Sequence, residues 1–274
     1  MNDSNIVTVI QARVGSSRLP NKVMLSLCGK PLLFRMYERV KAATLSGTVV
    51  IATSKEKEDD KIEEFCLESN ILCYRGDIND LLDRHYQVGL NFNADAVVKI
   101  PSDCPLIDPR IIDKVIKYYL VNRDKFDFVS NLHPPSYPDG NDVEIMSMSA
   151  LTKAWENATR KLEREHTTPF IWENPDKFRI GNVLWETGLD YSTTYRWTID
   201  YEKDYIFIRS VYEELFPSNK NFSMYSIINL IKEKPYLGMI NEEYLGNYWY
   251  ENHLDELTNI AEFKQKRIRT VNDY

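Results

Sequence analysis

The sequence predicts an α/β fold with a mainly parallel central sheet flanked by helices, and three observations carry that prediction. Short apolar runs alternate with segments of helical period over roughly the first 130 residues, the trace that parallel strands and crossover helices leave in a chain. The first run, over 6–12, passes directly into a loop with three cations and no acid between Arg13 and Lys22. The chain as a whole has a net charge of −7, so this loop is a local anion site rather than part of a general polyanion surface.

Taken in order, strands are predicted over 6–12, 48–53, 71–74 and 94–100, separated by helices over 31–44, 58–69 and 79–92. In the first helix Leu33, Met36, Tyr37 and Val40 recur at i, i+3, i+4 and i+7, with Pro31 suited to the opening turn. The next helix is marked by Asp108 as N-cap, Pro109 at the first position, and an apolar face of Ile112, Val115, Ile116 and Tyr119. The alternation then breaks at the Pro-rich run from His133 to Gly140. A strand follows, then helices over about 149–174 and strands near 177–185 and 194–199, which read as a smaller acceptor-side insertion over about 131–200. After Pro235 the tail is aromatic and polar (Tyr236, Tyr244, Tyr248, Trp249, Tyr250) with few aliphatics. It is expected to pack onto the body or onto a second subunit.

The loop after the first strand suits a polyphosphate. Arg13, Arg18 and Lys22 supply charge, while Gly15, Ser16 and Ser17 let backbone N–H groups approach a ligand closely. It contains neither a Walker loop nor a dinucleotide fingerprint. In an open sheet, ligands sit beyond the carboxyl ends of the strands, so Asp103, just after the fourth strand, faces the same edge.

The run from Gln11 through Ala12, Arg13, Arg18, Leu19 and Pro20 to Lys22 resembles the signature of the cytidylyltransferases that make CMP-activated acidic sugars. Their fold is the Rossmann-like, GT-A-like nucleotide-diphospho-sugar transferase domain. The Gln-Ala-Arg opening is most similar to the branch typified by spore coat polysaccharide biosynthesis protein F, whereas members making CMP-Kdo and CMP-sialic acid usually have Pro in place of Gln11. The resemblance spans about residues 6–215 in five ordered segments. It implies one cytidylyltransferase domain over 1–234, with a nucleotide-binding half over about 1–130 and an acceptor-side, dimerising lobe over about 131–200, followed by the extension 235–274.

The resemblance also implies CTP as substrate, magnesium as cofactor, an acidic sugar as acceptor and a homodimer. Asp103, in the Asp-Cys-Pro-Leu segment, and Asp200, after Arg196-Trp197-Thr198-Ile199, match the metal ligands of the family, and hard carboxylate oxygens suit magnesium. Tyr201 and Lys203 depart from the family's Thr and Glu, and Asp204 reads as a helix-dipole partner. Arg13 and Lys22 complete the catalytic set. The nucleotide contacts implied are Gln11, Ala12, Arg13, Gly15, Ser16, Arg18, Lys22, Thr53, Ser54, Arg75, Gly76, Asp77 and Ser102. On the acceptor side, Asp142 and Glu144 share one face of a strand by their period of two. The Glu163-Arg164-Glu165-His166 cluster before Thr-Pro adds Arg164 for a substrate carboxylate and Glu165 and His166 for hydroxyls.

Other classes fit less well. The aromatic residues are not interleaved with a basic stripe, which with the acidic balance opposes nucleic acid. No apolar run approaches the roughly 18 residues that span a bilayer, and Met1 to Asn5 hold no basic or apolar leader, so a cytoplasmic enzyme is expected. Cys28, Cys66, Cys73 and Cys104 lack metal-site spacing. A cytidylyltransferase for a phosphorylated aldonate or phosphonate, and a glycosyltransferase of the same fold, stay open as alternatives. A non-catalytic nucleotide-binding protein is disfavoured by the joint presence of Arg13, Lys22, Asp103 and Asp200.

Overall fold

A computed structural model describes residues 4–246 and 255–257. Its strands β1 (Ile6–Gln11), β4 (Thr48–Ser54), β5 (Leu72–Gly76) and β6 (Ala96–Pro101) are parallel, with β1 at the centre between β4 and β6. Between β1 and β4 lie a two-stranded hairpin, β2 (Ser26–Leu27) and β3 (Lys30–Pro31), and helix α1 (Leu32–Ala42). Helices α2 (Asp60–Glu68) and α3 (Leu81–Asn91) make the next crossovers, and α4 (Pro109–Val121) follows β6. The cap of α4 is as its sequence predicts: Asp108 Oδ1 accepts from the Arg110 N–H at 2.9 Å and Pro109 opens the helix.

The full sheet has seven strands in the order β5-β4-β1-β6-β8-β7-β9. Strand β8 (Glu144–Ser147) runs antiparallel between β6 and β7 (Phe128–Ser130), and β9 (Ile180–Asn182) is parallel to β7. Helices α5 (Met148–Asn157), α6 (Lys161–His166) and α7 (Pro169–Trp172) lie between β8 and β9, and α8 (Glu202–Leu215) and α9 (Met224–Glu233) close the domain. Alternation along β1 explains the two layers. Ile6 and Ile10 pack with Met36, Ile112, Phe207 and Ile227 on one face, and Val7 and Val9 pack with Leu82, Val88 and Leu151 on the other. A strand covered on both faces is apolar at nearly every position, which is why 6–12 reads as one run.

Several features differ from expectation: β8 begins at Glu144, so Asp142 lies before the strand rather than on one face of it with Glu144, and the β2–β3 hairpin and α9 have no predicted counterpart. The run 194–199 is not a strand of the sheet; it meets its neighbour through a single bridge of Arg196 with Asp139. Strand β7, three residues long, has no sequence counterpart among the predicted elements, because three residues are too few to display a period.

The parallel strands end together at Gln11, Ser54, Gly76 and Pro101, so the loops that follow share one edge. Residues 235–246 pack on the body, with Leu237 in the core and Asn241 buried; Tyr248, Trp249 and Tyr250 lie outside the described residues. No helix among the described residues is long and apolar enough to cross a membrane.

Candidate active site

The loop after β1 is held in place by its neighbours. The Val14 N–H donates to Asp59 Oδ1 at 2.7 Å. Asp59, fully buried, also accepts from the Ser54 N–H at 3.3 Å and from the Ser54 hydroxyl. Asn21 takes a left-handed conformation (φ 58°), which Asn tolerates, and its N–H returns to the Val14 carbonyl at 3.2 Å. A Cβ on Gly15 would come within 2.3 Å of the Glu58 carboxylate, so this glycine permits a close approach. Arg13 is exposed and makes no ion pair among the described residues.

Arg18 and Lys22 converge on one carboxylate. Arg18 Nη2 stands 2.8 Å and Lys22 Nζ 3.0 Å from Asp200 Oδ1, and Lys22 Nζ also donates to the Ile199 carbonyl at 2.7 Å. From the far side the buried Arg196 reaches Asp200 Oδ2 at 3.1 Å and Asp204 Oδ1 at 3.1 Å. Burial works against the Asp200 charge, but Lys22, Arg18 and Arg196 outweigh it and hold the carboxyl below its ordinary range. Asp204 is fully buried and accepts from the Asp200 and Tyr201 N–H groups at 2.9 and 3.0 Å, fixing the turn that presents Asp200.

Asp103 joins this turn through its backbone, its carbonyl accepting from the Ile199 N–H at 2.9 Å. Gly140, at φ 102°, lets the acidic loop press against it, since a Cβ there would lie 2.9 Å from the Trp197 carbonyl carbon. This brings Asp139 Oδ2 to 3.0 Å from the Thr198 hydroxyl. Burial, then the charges of Asp103 and Asp200, raise the Asp139 carboxyl to about 6 in spite of Arg196. Burial, Asp139 and Asp103 push Asp142 well above its ordinary value. Asp103, Asp139, Asp142 and Asp200 therefore share one field, a donor chemistry that fits a hard divalent cation. Among the described residues no three His, Cys, Asp or Glu side chains form a metal cage. A cation held by Asp103 and Asp200 would complete its shell with water and substrate phosphates, as magnesium does at nucleotide sites.

On the nucleotide side, Gln11 Oε1 and Thr53 Oγ1 are buried polar atoms with no protein partner, and the Ser102 N–H donates to the Gln11 carbonyl at 3.2 Å. Arg75 turns toward α2, donating to the Ser54 and Glu56 carbonyls at 2.8 and 2.9 Å and pairing with Glu63 at 2.7 Å and Asp60 at 2.8 Å. Asp77 closes a turn on the Asn79 N–H at 2.7 Å. Gly76 makes room for Arg84, whose Cγ would lie 2.4 Å from a Cβ at 76. Burial and the like charge of Arg13 bring the Arg84 guanidinium down to about 10, and its Nε has no partner.

The acceptor side is built differently. Glu144 is buried in an ion pair with Lys99 and accepts from the Thr168 hydroxyl at 2.8 Å. Against the cost of burial, Lys99 and His133 pull its carboxyl down to about 2. Arg164 donates to Asp80 Oδ2 from Nε at 2.9 Å and from Nη2, and to the Trp155 carbonyl at 2.8 Å. Glu165 and His166 are half-buried at the end of α6. Beneath them His85 is fully buried, its Nδ1 2.7 Å from the Leu81 carbonyl, and burial lowers it to about 3.

Asp59, Arg84, Asp139 and Arg196 are thus part of the site without having been singled out in the sequence. Arg196 and Asp139 stand inside segments already marked, and the pairing of 139–140 with 196–198 is what unites them. Asp59 carries no local signal for its hold on Val14, which lies 45 positions away.

Comparison with known proteins gives the family. A cytidylyltransferase family model matches residues 7–268. The spore coat polysaccharide biosynthesis protein SpsF of Bacillus subtilis is 28% identical over 240 residues, covering 86% of this chain and 96% of that protein. The solved structure of a cytidylyltransferase from Leptospira borgpetersenii is 34% identical, with a TM-score of 0.81 over 86% of this chain and 97% of that one. A CMP:2-keto-3-deoxy-manno-octonic acid synthetase solved with CTP shares the fold, at 18% identity and a TM-score of 0.57, over 77% of this chain and 99% of that one. The chain belongs to the cytidylyltransferase family and is a CTP-dependent nucleotidyltransferase.

Proposed function

We propose that this cytidylyltransferase transfers CMP from CTP to a hydroxyl of an acidic sugar of the nonulosonic type, releasing pyrophosphate, for the synthesis of a surface polysaccharide or other glycan. The observation that carries the reading is the convergence of Arg18 and Lys22 on Asp200, in a turn fastened to Asp103. The names of the Bacillus subtilis relative and of the CTP-bound fold neighbour support the glycan and the acidic acceptor.

Arg13, Arg18 and Lys22 bind the β- and γ-phosphates, with the backbone of Gly15 and Ser16 against them. Asp103 and Asp200 would hold magnesium, which would supply charge neutralisation for the transferred phosphate. The sugar hydroxyl gives up its proton to solvent water and attacks the α-phosphorus in line; a new P–O bond forms, and the bond to the β-phosphate oxygen breaks. The charge of the departing pyrophosphate comes to rest on the loop cations. Gln11, Ala12, Thr53, Ser54 and Ser102 face the nucleoside, matched donors and acceptors being what separates one base from another. Arg75, Gly76 and Asp77 shape that wall. Asp142, Glu165 and His166 face the sugar, and Glu144 and Arg164 hold their wall through Lys99 and Asp80. The enzyme works as a homodimer, with the 131–200 lobe as the contact.

The test is pyrophosphate release from CTP with magnesium across a panel of acidic sugars, with ATP, GTP and UTP as controls. Release with CTP and one nonulosonic acid is the expected result. Release only with a phosphorylated aldonate or a phosphonate would move the acceptor, and silence throughout alongside CTP binding would point to a glycosyltransferase.

A further inference from the structure

The segment after α9 returns to the phosphate side of the site. Asn241, buried, donates through Nδ2 to the Arg196 carbonyl at 3.0 Å and to Asp204 Oδ1 at 2.9 Å, and Glu243 pairs with Lys203 at 2.7 Å. These anchors place the Tyr244 ring flat against Tyr201, with centroids 4.2 Å apart and planes 20° from parallel. The guanidinium of Arg18 lies over the ring of Tyr201, 5.5 Å from its centroid, and that of Arg196 lies 6.0 Å away.

Arg18 has more need of such support than Lys22. Its side chain is 47% exposed, against 13% for Lys22. A long exposed side chain loses rotamer freedom when it grips a ligand, and prior ordering reduces that loss. A ring face attracts a guanidinium electrostatically, and a second ring stacked behind it fixes the plane of the first.

We infer that Tyr244 is a positioning residue for nucleotide binding: stacked on Tyr201, it holds Arg18 aimed at the triphosphate, so the C-terminal extension is part of the nucleotide site. The inference rests on the reading of Arg18 as a phosphate ligand. Its test is equilibrium binding of CTP with magnesium to the full chain, followed by steady-state kinetics with the accepted sugar. Tyr244→Ala weakens CTP about two- to fivefold and raises KM for CTP by the same factor, with kcat within about twofold, the scale of one exposed cation–ring contact. Tyr201→Thr gives the same loss and Tyr244→Phe, which keeps the stack, gives none. In an Arg18→Ala background Tyr244→Ala adds nothing.

Unchanged CTP affinity in Tyr244→Ala, or a full additional loss in the Arg18→Ala background, overturns the inference alone. A wild-type chain that fails to bind CTP overturns the nucleotide reading and the inference together. Thermal melts of both tyrosine variants separate these outcomes from simple unfolding.

Discussion

The two walls of the site use charge in opposite ways. On the wall proposed for the nucleotide Arg13 stands exposed with no ion pair among the described residues, and Arg18 and Lys22 share the carboxylate of Asp200. On the acceptor wall Glu144 is buried against Lys99 and Thr168, and Arg164 is committed to Asp80 and the Trp155 carbonyl. A triphosphate brings several negative charges and can compete with one carboxylate that several cations share, the outermost of them, Arg18, being 47% exposed. Breaking a buried pair leaves an uncompensated charge, which costs far more. The nucleotide wall therefore offers its charge to a ligand, whereas the acceptor wall uses its charge to hold a shape.

The largest test of this contrast removes the two carboxylates proposed to hold the metal. Asp103→Asn and Asp200→Asn are each expected to lower turnover by more than about 10³-fold, the scale of losing a group that stabilises developing charge, while leaving the fold intact. Asp200→Asn does not strand Arg196, because Asp204 still pairs with it at 3.1 Å. Single-turnover rates and thermal melts together check this; a variant within tenfold of the wild type would take the metal away from that residue.

A second test addresses the acceptor wall through pH. His85 is held at about 3 by burial, against an ordinary 6.5, so between those values the unfolded chain takes up a proton that the native chain refuses. Stability is then full above about pH 6.5 and falls as the pH drops toward 3, by about 2 kcal/mol between pH 6.5 and 5. Glu144, held at about 2 against 4.5, loses its contribution in the same direction at lower pH. Urea midpoints at pH 7, 6 and 5 should fall for the wild type and fall less, by about that amount, for His85→Gln. Parallel curves would place the acid sensitivity elsewhere and leave the acceptor wall without this buried neutral imidazole.

What the sequence could and could not display follows from the same contrast. The parallel half was legible because each strand is covered on both faces and reads as an apolar run, and Asp108-Pro109 announced α4 with its own capping chemistry. The cationic loop was legible because its residues are contiguous. The commitments of the other charges were not, since they depend on segments far apart in the chain: Asp59 clamps a loop 45 positions away, and Arg164 meets an acid 84 positions away. Residues 194–199 resembled a strand because Tyr195, Trp197 and Ile199 alternate with polar residues, yet their backbone is spent on Asp139 and Asp103 rather than on a ladder.

The finest distinction concerns Arg164, which in sequence suits a substrate carboxylate and in the fold grips Asp80. The pair is about a quarter exposed on each side (24% and 25%), so solvent screens it and its loss is worth about 1 to 2 kcal/mol rather than the figure for a fully buried pair. If Arg164 holds the wall, Asp80→Ala, which also removes the N-cap of α3, destabilises more than Arg164→Ala, the double variant is no worse than Asp80→Ala alone, and KM for the acid moves by less than about fivefold in all three. A double-mutant cycle on urea midpoints, with KM measured in parallel, reads both quantities. Arg164→Ala raising the acid KM tenfold or more, with stability unchanged and Asp80→Ala silent, would mean that the guanidinium leaves its partner for the substrate. The acceptor wall would then offer charge to its ligand just as the nucleotide wall does, and the contrast between them would not hold.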